Sequence, residues 1–255
     1  MGNVKKLTPE TVNFIWGETR DFYVPPLLIK LVEAKDDLSI QVHPDTDYAK
    51  KVEGKPNGKN EFWYITGAEE NATIYYGFNK DLTKENIKSC LEDGSICNHL
   101  NLVKVNEGDG FYVKAGTVHA IRGGVKILEI QEISDLTYRF YDYNRLQNGK
   151  PRELHIEKSL DVVTVDKTEI PKQCKDLTYK DGYKFREIAS EFFFTASEIL
   201  VEKSFEIAGK TLVYAVDGGG EFSGGERINK GDLFLCEGAN ELISNSLKIV
   251  EIKAK

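Results

Sequence analysis

Apolar residues along this 255-residue chain come in short runs rather than in helical stripes. Leu27-Leu28-Ile29-Lys30-Leu31-Val32, Leu38-Ser39-Ile40-Gln41-Val42, Phe62-Trp63-Tyr64-Ile65, Thr73-Ile74-Tyr75-Tyr76, Phe111-Tyr112-Val113 and Val125-Lys126-Ile127-Leu128-Glu129-Ile130 each read as a strand. Gly, Asn and Asp separate them, which predicts a sandwich or barrel of antiparallel sheets rather than alternating β-α units. Two segments read as helices: Thr83 to Leu91, ending at Gly94, and roughly Arg152 to Val162, following Pro151.

A second set of strand-like runs follows. These are Phe192-Phe193-Phe194, Glu198-Ile199-Leu200-Val201, Thr211 to Val216 and Leu247 to Ile252. Gly108-Asp109-Gly110-Phe111-Tyr112-Val113 is echoed by Gly231-Asp232-Leu233-Phe234-Leu235-Cys236, a Gly-Asp turn feeding an apolar strand in each case. The expected organisation is therefore an N-terminal barrel over 1–150 with a helical insertion near 83–91, a helical and loop connection over 151–182, and a related barrel over 183–255.

Composition narrows the class. With 40% apolar and 29% charged residues and no apolar run near the roughly 20 residues of a membrane helix, a soluble protein with no membrane partner is expected. No apolar leader follows Met1-Gly2-Asn3-Val4-Lys5-Lys6, so the expected location is the cytoplasm. The net charge of -7 argues against nucleic acid as a partner, and an anionic ligand would need a local basic pocket. Cys90, Cys97, Cys174 and Cys236 form no CxxC pair and read as free thiols.

The chemistry concentrates before residue 150. Gln41 and His43 are two apart on a strand, so their side chains share a face. Glu61 opens the next convincing strand, with Lys59 on the same face, and His119 follows the first Gly-Asp repeat. A lone His on an apolar strand is more often a satisfied core or surface residue. Jointly, two imidazoles and a carboxylate, with Gln41 as a fourth candidate, suit Zn²⁺ or another borderline first-row metal. Gln131 to Arg145 is dense in charges and aromatics. Alone it reads as a solvated edge strand; beside the metal residues, Arg139 reads as functional. Lys59 alone would be a strand-end lysine, and Asp135 a turn residue.

These stretches resemble a known family, the type I mannose-6-phosphate isomerases of compact bacterial type, zinc-dependent members of the cupin superfamily. The resemblance is carried by Pro26-Leu27-Leu28-Ile29-Lys30, by Leu38-Ser39-Ile40-Gln41-Val42-His43-Pro44-Asp45 and by Gly58-Lys59-Asn60-Glu61-Phe62-Trp63-Tyr64. Gly110 to Ala120 and Thr137-Tyr138-Arg139-Phe140-Tyr141-Asp142-Tyr143 complete it, in the family's order. It implies a mainly β double cupin, with one Zn²⁺ per chain, or another divalent first-row metal, held by Gln41, His43, Glu61 and His119 in the N-terminal barrel. It also implies Arg139, Lys59 and Asp135 as catalytic residues, with Lys59, Arg139 and Trp63 at the substrate; Trp63 itself reads as core and wall rather than chemistry. The implied reaction interconverts mannose 6-phosphate and fructose 6-phosphate through a cis-enediol, making a phosphosugar the small-molecule partner. Arg139 could steady the enediolate or hold an anionic group; Lys59 could move a proton or bind phosphate.

Three departures from the pattern stand out. The stretch between Trp16-Gly17 and Pro26 is short, so part of the site's rim is expected to be missing. Lys114 stands where the cupin pattern has Pro, and the C-terminal repeat reads Gly238-Ala239-Asn240-Glu241-Leu242, with no His, so the second barrel is expected to bind no metal. Another cupin metalloenzyme, such as a non-haem iron dioxygenase or a different sugar isomerase, and a non-catalytic sugar-binding cupin are the rival readings.

Overall fold

The computed structural model of the chain describes residues 2–255. The chain divides into two compact units, Glu10–Gln173 and a second formed by Met1–Pro9 together with Cys174–Lys255. Both are built of antiparallel strands with few helices, the mainly β architecture that the short alternating runs predict.

In the unit Glu10–Gln173 two sheets enclose one core. A six-stranded sheet runs Glu10–Phe14, Gly17–Val24, Leu27–Ala34, Val125–Glu132, Glu61–Ala68 and Gly110–Val113 in spatial order. A five-stranded sheet runs Tyr138–Tyr141, Ile40–Val42, His119–Ile121, Thr73–Phe78 and Leu100–Lys104. Val32, Ile65 and Ile127 from the first meet Ile74, Tyr76 and Ile121 from the second in one buried cluster. A second cluster, on Ile40, Val42, Phe78 and Phe140, is covered by Ile87 and Leu160 of the helices Lys84–Glu92 and Ile156–Val162. Thr83 caps the first helix: its hydroxyl accepts from Asn86 N at 3.2 Å, while the Asn86 side chain accepts from Thr83 N at 3.3 Å.

The internal repeat is visible in the hydrogen bonds. Asn106 N donates to Asp109 Oδ2 at 2.7 Å, and Asn229 N donates to Asp232 Oδ2 at 3.1 Å. Gly108 and Gly231 both have φ +87°, their amides donating to Ile65 O and to Ala215 O respectively. Glu61, four residues before Ile65, thereby has Thr211 as its counterpart in the second unit.

Several elements differ from the sequence expectation. The strand Asn3–Lys6 pairs with Leu233–Glu237, and Val4 packs on the core of the second unit, so the division falls after Pro9 and after Gln173 rather than at 150 and 183. The helix expected from Arg152 begins only at Ile156. His155 N donates to Arg139 O and His155 Nδ1 accepts from Arg139 N, which ties His155 to the Tyr138–Tyr141 strand ahead of the helix. Phe192 is an exposed bend, and its strand starts at Phe194. Gly17–Val24, a run of charges without an apolar period, is nonetheless a strand, paired residue for residue with Leu27–Ala34 across a tight turn at Pro25-Pro26. The short stretch after Trp16 is thus a hairpin that supplies sheet. Among the described residues no helix is long and apolar enough to cross a membrane.

Thr83→Ala removes the cap acceptor and should cost the Lys84–Glu92 helix about 1 kcal/mol. Faster hydrogen exchange at the amides of 84–92 is the expected reading; unchanged protection would mean that the cap does not hold this helix.

Candidate metal centre

Strand pairing brings the sequence-distant motifs together. His119 pairs with Gln41, and Gln41 with Arg139 on its other side, so these three side chains point the same way. On the facing sheet, Gln131 pairs with Glu61 and Glu129 pairs with both Trp63 and Lys30. Two glycines fix the approach of the loops. Gly116, at φ +88°, donates to His43 O at 2.9 Å, and a Cβ there would sit 2.7 Å from Thr164 Oγ1. Gly58 lies against the Pro44-Asp45 backbone, where a Cβ would meet Asp45 C at 2.3 Å. That contact lets Lys59 N donate to Pro44 O at 3.0 Å, next to His43. The Lys114 departure leaves this turn closed, Thr117 N donating to Lys114 O at 3.0 Å.

The result is a buried cluster of His43, Glu61 and His119, each offering a ligand atom within 4.8 Å of the others, a set that could hold a metal ion. His43 Nε2 is 3.4 Å from Glu61 Oε2, and His119 Nε2 is 3.3 Å from Glu61 Oε1. Each imidazole has its other nitrogen committed: His43 Nδ1 to Leu136 O at 2.9 Å, His119 Nδ1 to Thr117 O at 2.8 Å. A ring that donates through Nδ1 presents the Nε2 lone pair inward, the tautomer a metal requires. The Gln41 amide stands 3.3 Å from His119 Nε2, where a flip of the amide offers its oxygen to the same point. His43 Nε2 and both Glu61 oxygens are buried without a hydrogen bond. Orphaned acceptors of this kind are costly unless something cationic fills the gap between them, and nitrogen and oxygen donors of this set fit a divalent first-row metal.

Electrostatics follow from burial and from Glu61. Burial is the chief cause that lowers the His43 pKa to about 3, and it also lowers His119. Burial opposes the charge on Glu61, but Lys59 and the imidazoles outweigh it and hold the carboxyl well below its usual range. Burial likewise opposes the Lys59 ammonium, yet Glu61 and Glu129 outweigh it and raise its pKa. Lys59 Nζ lies 3.0 Å from Glu61 Oε2 in an ion pair that lacks the angles of a hydrogen bond. Glu129 is raised to about 7 by burial and by repulsion from Glu61, and accepts from Trp63 Nε1 at 3.2 Å.

Beside the cluster is a cavity of about 320 Å³ in the same unit. Gln41, Lys59, Asp135 and Arg139 line it, as do Lys30, Glu129 and Arg152, which sequence reasoning missed. Lys30 and Glu129 carried a usable signal, each being a charge within an otherwise apolar strand; Arg152 was hidden in an expected helix. Asp135 stands at the rim, largely exposed, with Lys55 at 3.3 Å. Trp63 is not among the lining residues: it is fully buried, edge-on to His119 at 5.3 Å, and donates to the cavity residue Glu129. The hairpin strand after Trp16 contributes Thr19 to the wall, with Phe14 stacked on Trp16 beside it.

No family model matches the chain. It is 49% identical over 141 residues to the mannose-6-phosphate isomerase ManA of Bacillus subtilis, a stretch covering 55% of this chain and 44% of that protein. To the mannose-6-phosphate isomerase of Streptococcus mutans it is 47% identical over 160 residues, covering 60% and 50%. The chain spans about half the length of the curated relatives it matches. In three dimensions it is similar to the mannose 6-phosphate isomerase of Bacillus subtilis with a TM-score of 0.88 at 26% identity, over 99% of this chain and 100% of that one. The family resemblance read from the motifs is therefore present in sequence and in fold.

Without metal, the cluster gives stability a definite dependence on pH. His43 and His119, ordinarily near 6.5, are kept neutral by the fold, so the unfolded chain binds more protons as pH falls below 6.5, and stability is lost toward the folded value of about 3 for His43. Glu129 works the other way between its ordinary 4.5 and about 7, contributing stability at the acid end that is lost as pH rises. Two histidines against one carboxyl leave a net loss from 6.5 to 4.5. Below 4.5 Glu129 drops out and Glu61 adds to the loss. The urea midpoint of metal-stripped protein should fall modestly from pH 6.5 to 4.5 and steeply below; a flat profile would contradict the assignment.

Proposed function

We propose that this chain is a metal-dependent aldose-ketose isomerase that interconverts mannose 6-phosphate and fructose 6-phosphate. The observation that carries this reading is a buried His-Glu-His cluster beside a cavity lined by four cationic side chains, Lys30, Lys59, Arg139 and Arg152. A sugar phosphate needs both features: a Lewis acid near the reacting oxygens and positive charge for its phosphate. The relatives named mannose-6-phosphate isomerase supply the substrate.

His43, Glu61, His119 and Gln41 would hold the ion, and Zn²⁺ suits this donor set. When bound, it would polarise the substrate's C1 and C2 oxygens. The protein's own groups do the rest. Arg139, half-buried and permanently charged, stands beside Gln41 and can stabilise negative charge that develops as C2 loses its proton. Lys59 is kept charged by Glu61 and Glu129, which favours a binding and orienting role over that of a base. Glu129, raised to about 7, is the cavity carboxyl poised to exchange a proton near neutral pH. A phosphosugar enzyme with these needs belongs in the cytoplasm.

A coupled assay of mannose 6-phosphate conversion should show turnover that chelation abolishes and Zn²⁺ restores. His119→Ala should lose metal and turnover together, whereas Arg139→Ala should keep the metal and lose roughly 10²–10³-fold in kcat, the range for removing one charge-stabilising donor. Metal-replete protein without turnover would overturn the isomerase reading, and full metal occupancy in His119→Ala would overturn the ligand assignment.

A further inference from the structure

Two arginines share one buried carboxylate beside the cavity, and a third, Arg139, feels the charge of both that carboxylate and Arg152. Asp142 Oδ1 accepts from Arg145 Nη2 at 2.6 Å and from Arg152 Nη1 at 3.3 Å, and Asp142 is 4% exposed. Arg145 is otherwise committed, its Nη1 donating to the backbone oxygen of Asp37. Arg139 and Arg152 are the two that line the cavity. The Arg139 guanidinium makes a single hydrogen bond, from Nη1 to Glu153 O at 2.6 Å, and its Nε is buried without a partner. After burial, the charge of Arg152 is the largest influence lowering the Arg139 pKa.

The charge count is uneven. Of the three guanidiniums, two are bonded to one buried carboxylate and Arg139 has no carboxylate bonded to it among the described residues. The cavity's own carboxyls, Glu129 and Asp135, are engaged with Trp63 and Lys55, and the nearby Glu153 and Asp36 are exposed and screened by solvent. Like charges held together at a half-buried wall oppose folding unless an anion enters between them. Guanidinium forks match the oxygens of a tetrahedral oxyanion, which makes phosphate the fitting chemistry.

We propose that Arg152, acting with Arg139, forms the anion seat of this cavity and anchors the phosphate group of the ligand. That the phosphate is carried by a sugar rests on the isomerase reading above; the seat itself rests on the arrangement of the arginines. Arg152 stands thirteen residues beyond Arg139, outside the motifs that carry the family resemblance, and lines the cavity from a segment, 152–155, that is not helical.

The test is calorimetric titration of inorganic phosphate into zinc-loaded and metal-stripped protein, wild type against Arg152→Gln and Arg152→Lys. Wild type should bind phosphate in both states; Arg152→Gln should weaken it at least tenfold in both, and Arg152→Lys should recover part of the loss. Thermal melts show whether each variant folds, and phosphate should raise the melting temperature of wild type more than that of a folded Arg152→Gln. Phosphate affinity unchanged in Arg152→Gln, with stability reduced, would make Arg152 a mere support for Asp142 and overturn the proposal. Binding that survives in Arg152→Gln and vanishes with the metal would place the anion on the metal and overturn it equally. In turnover, Arg152→Gln should raise KM for mannose 6-phosphate at least tenfold with kcat little changed. The two readings fail separately: Arg152-dependent phosphate binding without any isomerase turnover leaves the seat and removes the isomerase, whereas turnover with KM unchanged in Arg152→Gln does the reverse.

Discussion

A carboxylate fully buried inside a β-structure is the constraint around which this unit is organised. Glu61 lies at the start of a strand with no water to solvate it, and a lone buried charge of that kind would cost several kcal/mol. Everything near it compensates. Lys59 stands 3.0 Å away, and two imidazoles aim their ring nitrogens at its oxygens. Those imidazoles are in turn locked by backbone carbonyls. His43 Nε2 and the Glu61 oxygens are nonetheless left without a hydrogen bond, an arrangement that could hold a cation.

The same carboxylate shapes the chemistry of the cavity beside it. Its charge helps push Glu129 toward neutrality and keeps Lys59 protonated, so two groups of opposite sense share one wall. Environments that drive neighbouring titratable groups apart are the usual way a site obtains an acid-base group and an electrostatic anchor from ordinary residues. The two units share the Gly-Asp turn and its strand contacts, yet the counterpart of Glu61 in the second is Thr211. The duplicated fold thus carries its buried charge in one copy only at this position.

Much of the site was legible before the structure. Gln41 and His43 share a face by strand parity alone, and the spacing of Glu61 and His119 after recognisable turns made a metal set readable. Other features were not. Gly17–Val24 has no apolar alternation because its neighbours, not its own pattern, make it a strand. Trp63 reads from sequence as core and wall; only packing shows its ring edge-on to His119. Arg152 was assigned to a helix because Pro151 is a good helix-start signal, and the two hydrogen bonds between His155 and Arg139, one backbone to backbone and one to the imidazole, override that local preference.

By itself, then, the sequence determined the β class, the duplication, the donor residues and the parity that lets them share a face, because strand alternation and turn chemistry act over a few residues. Tertiary structure alone decided which charges meet. Lys30, Glu129 and Arg152 come from three separate segments of the chain, and their convergence on one cavity depends on strand register and loop packing between residues up to 122 positions apart, as Lys30 and Arg152 are. No local preference encodes that distance, because each pairing exists only once the whole sheet has formed.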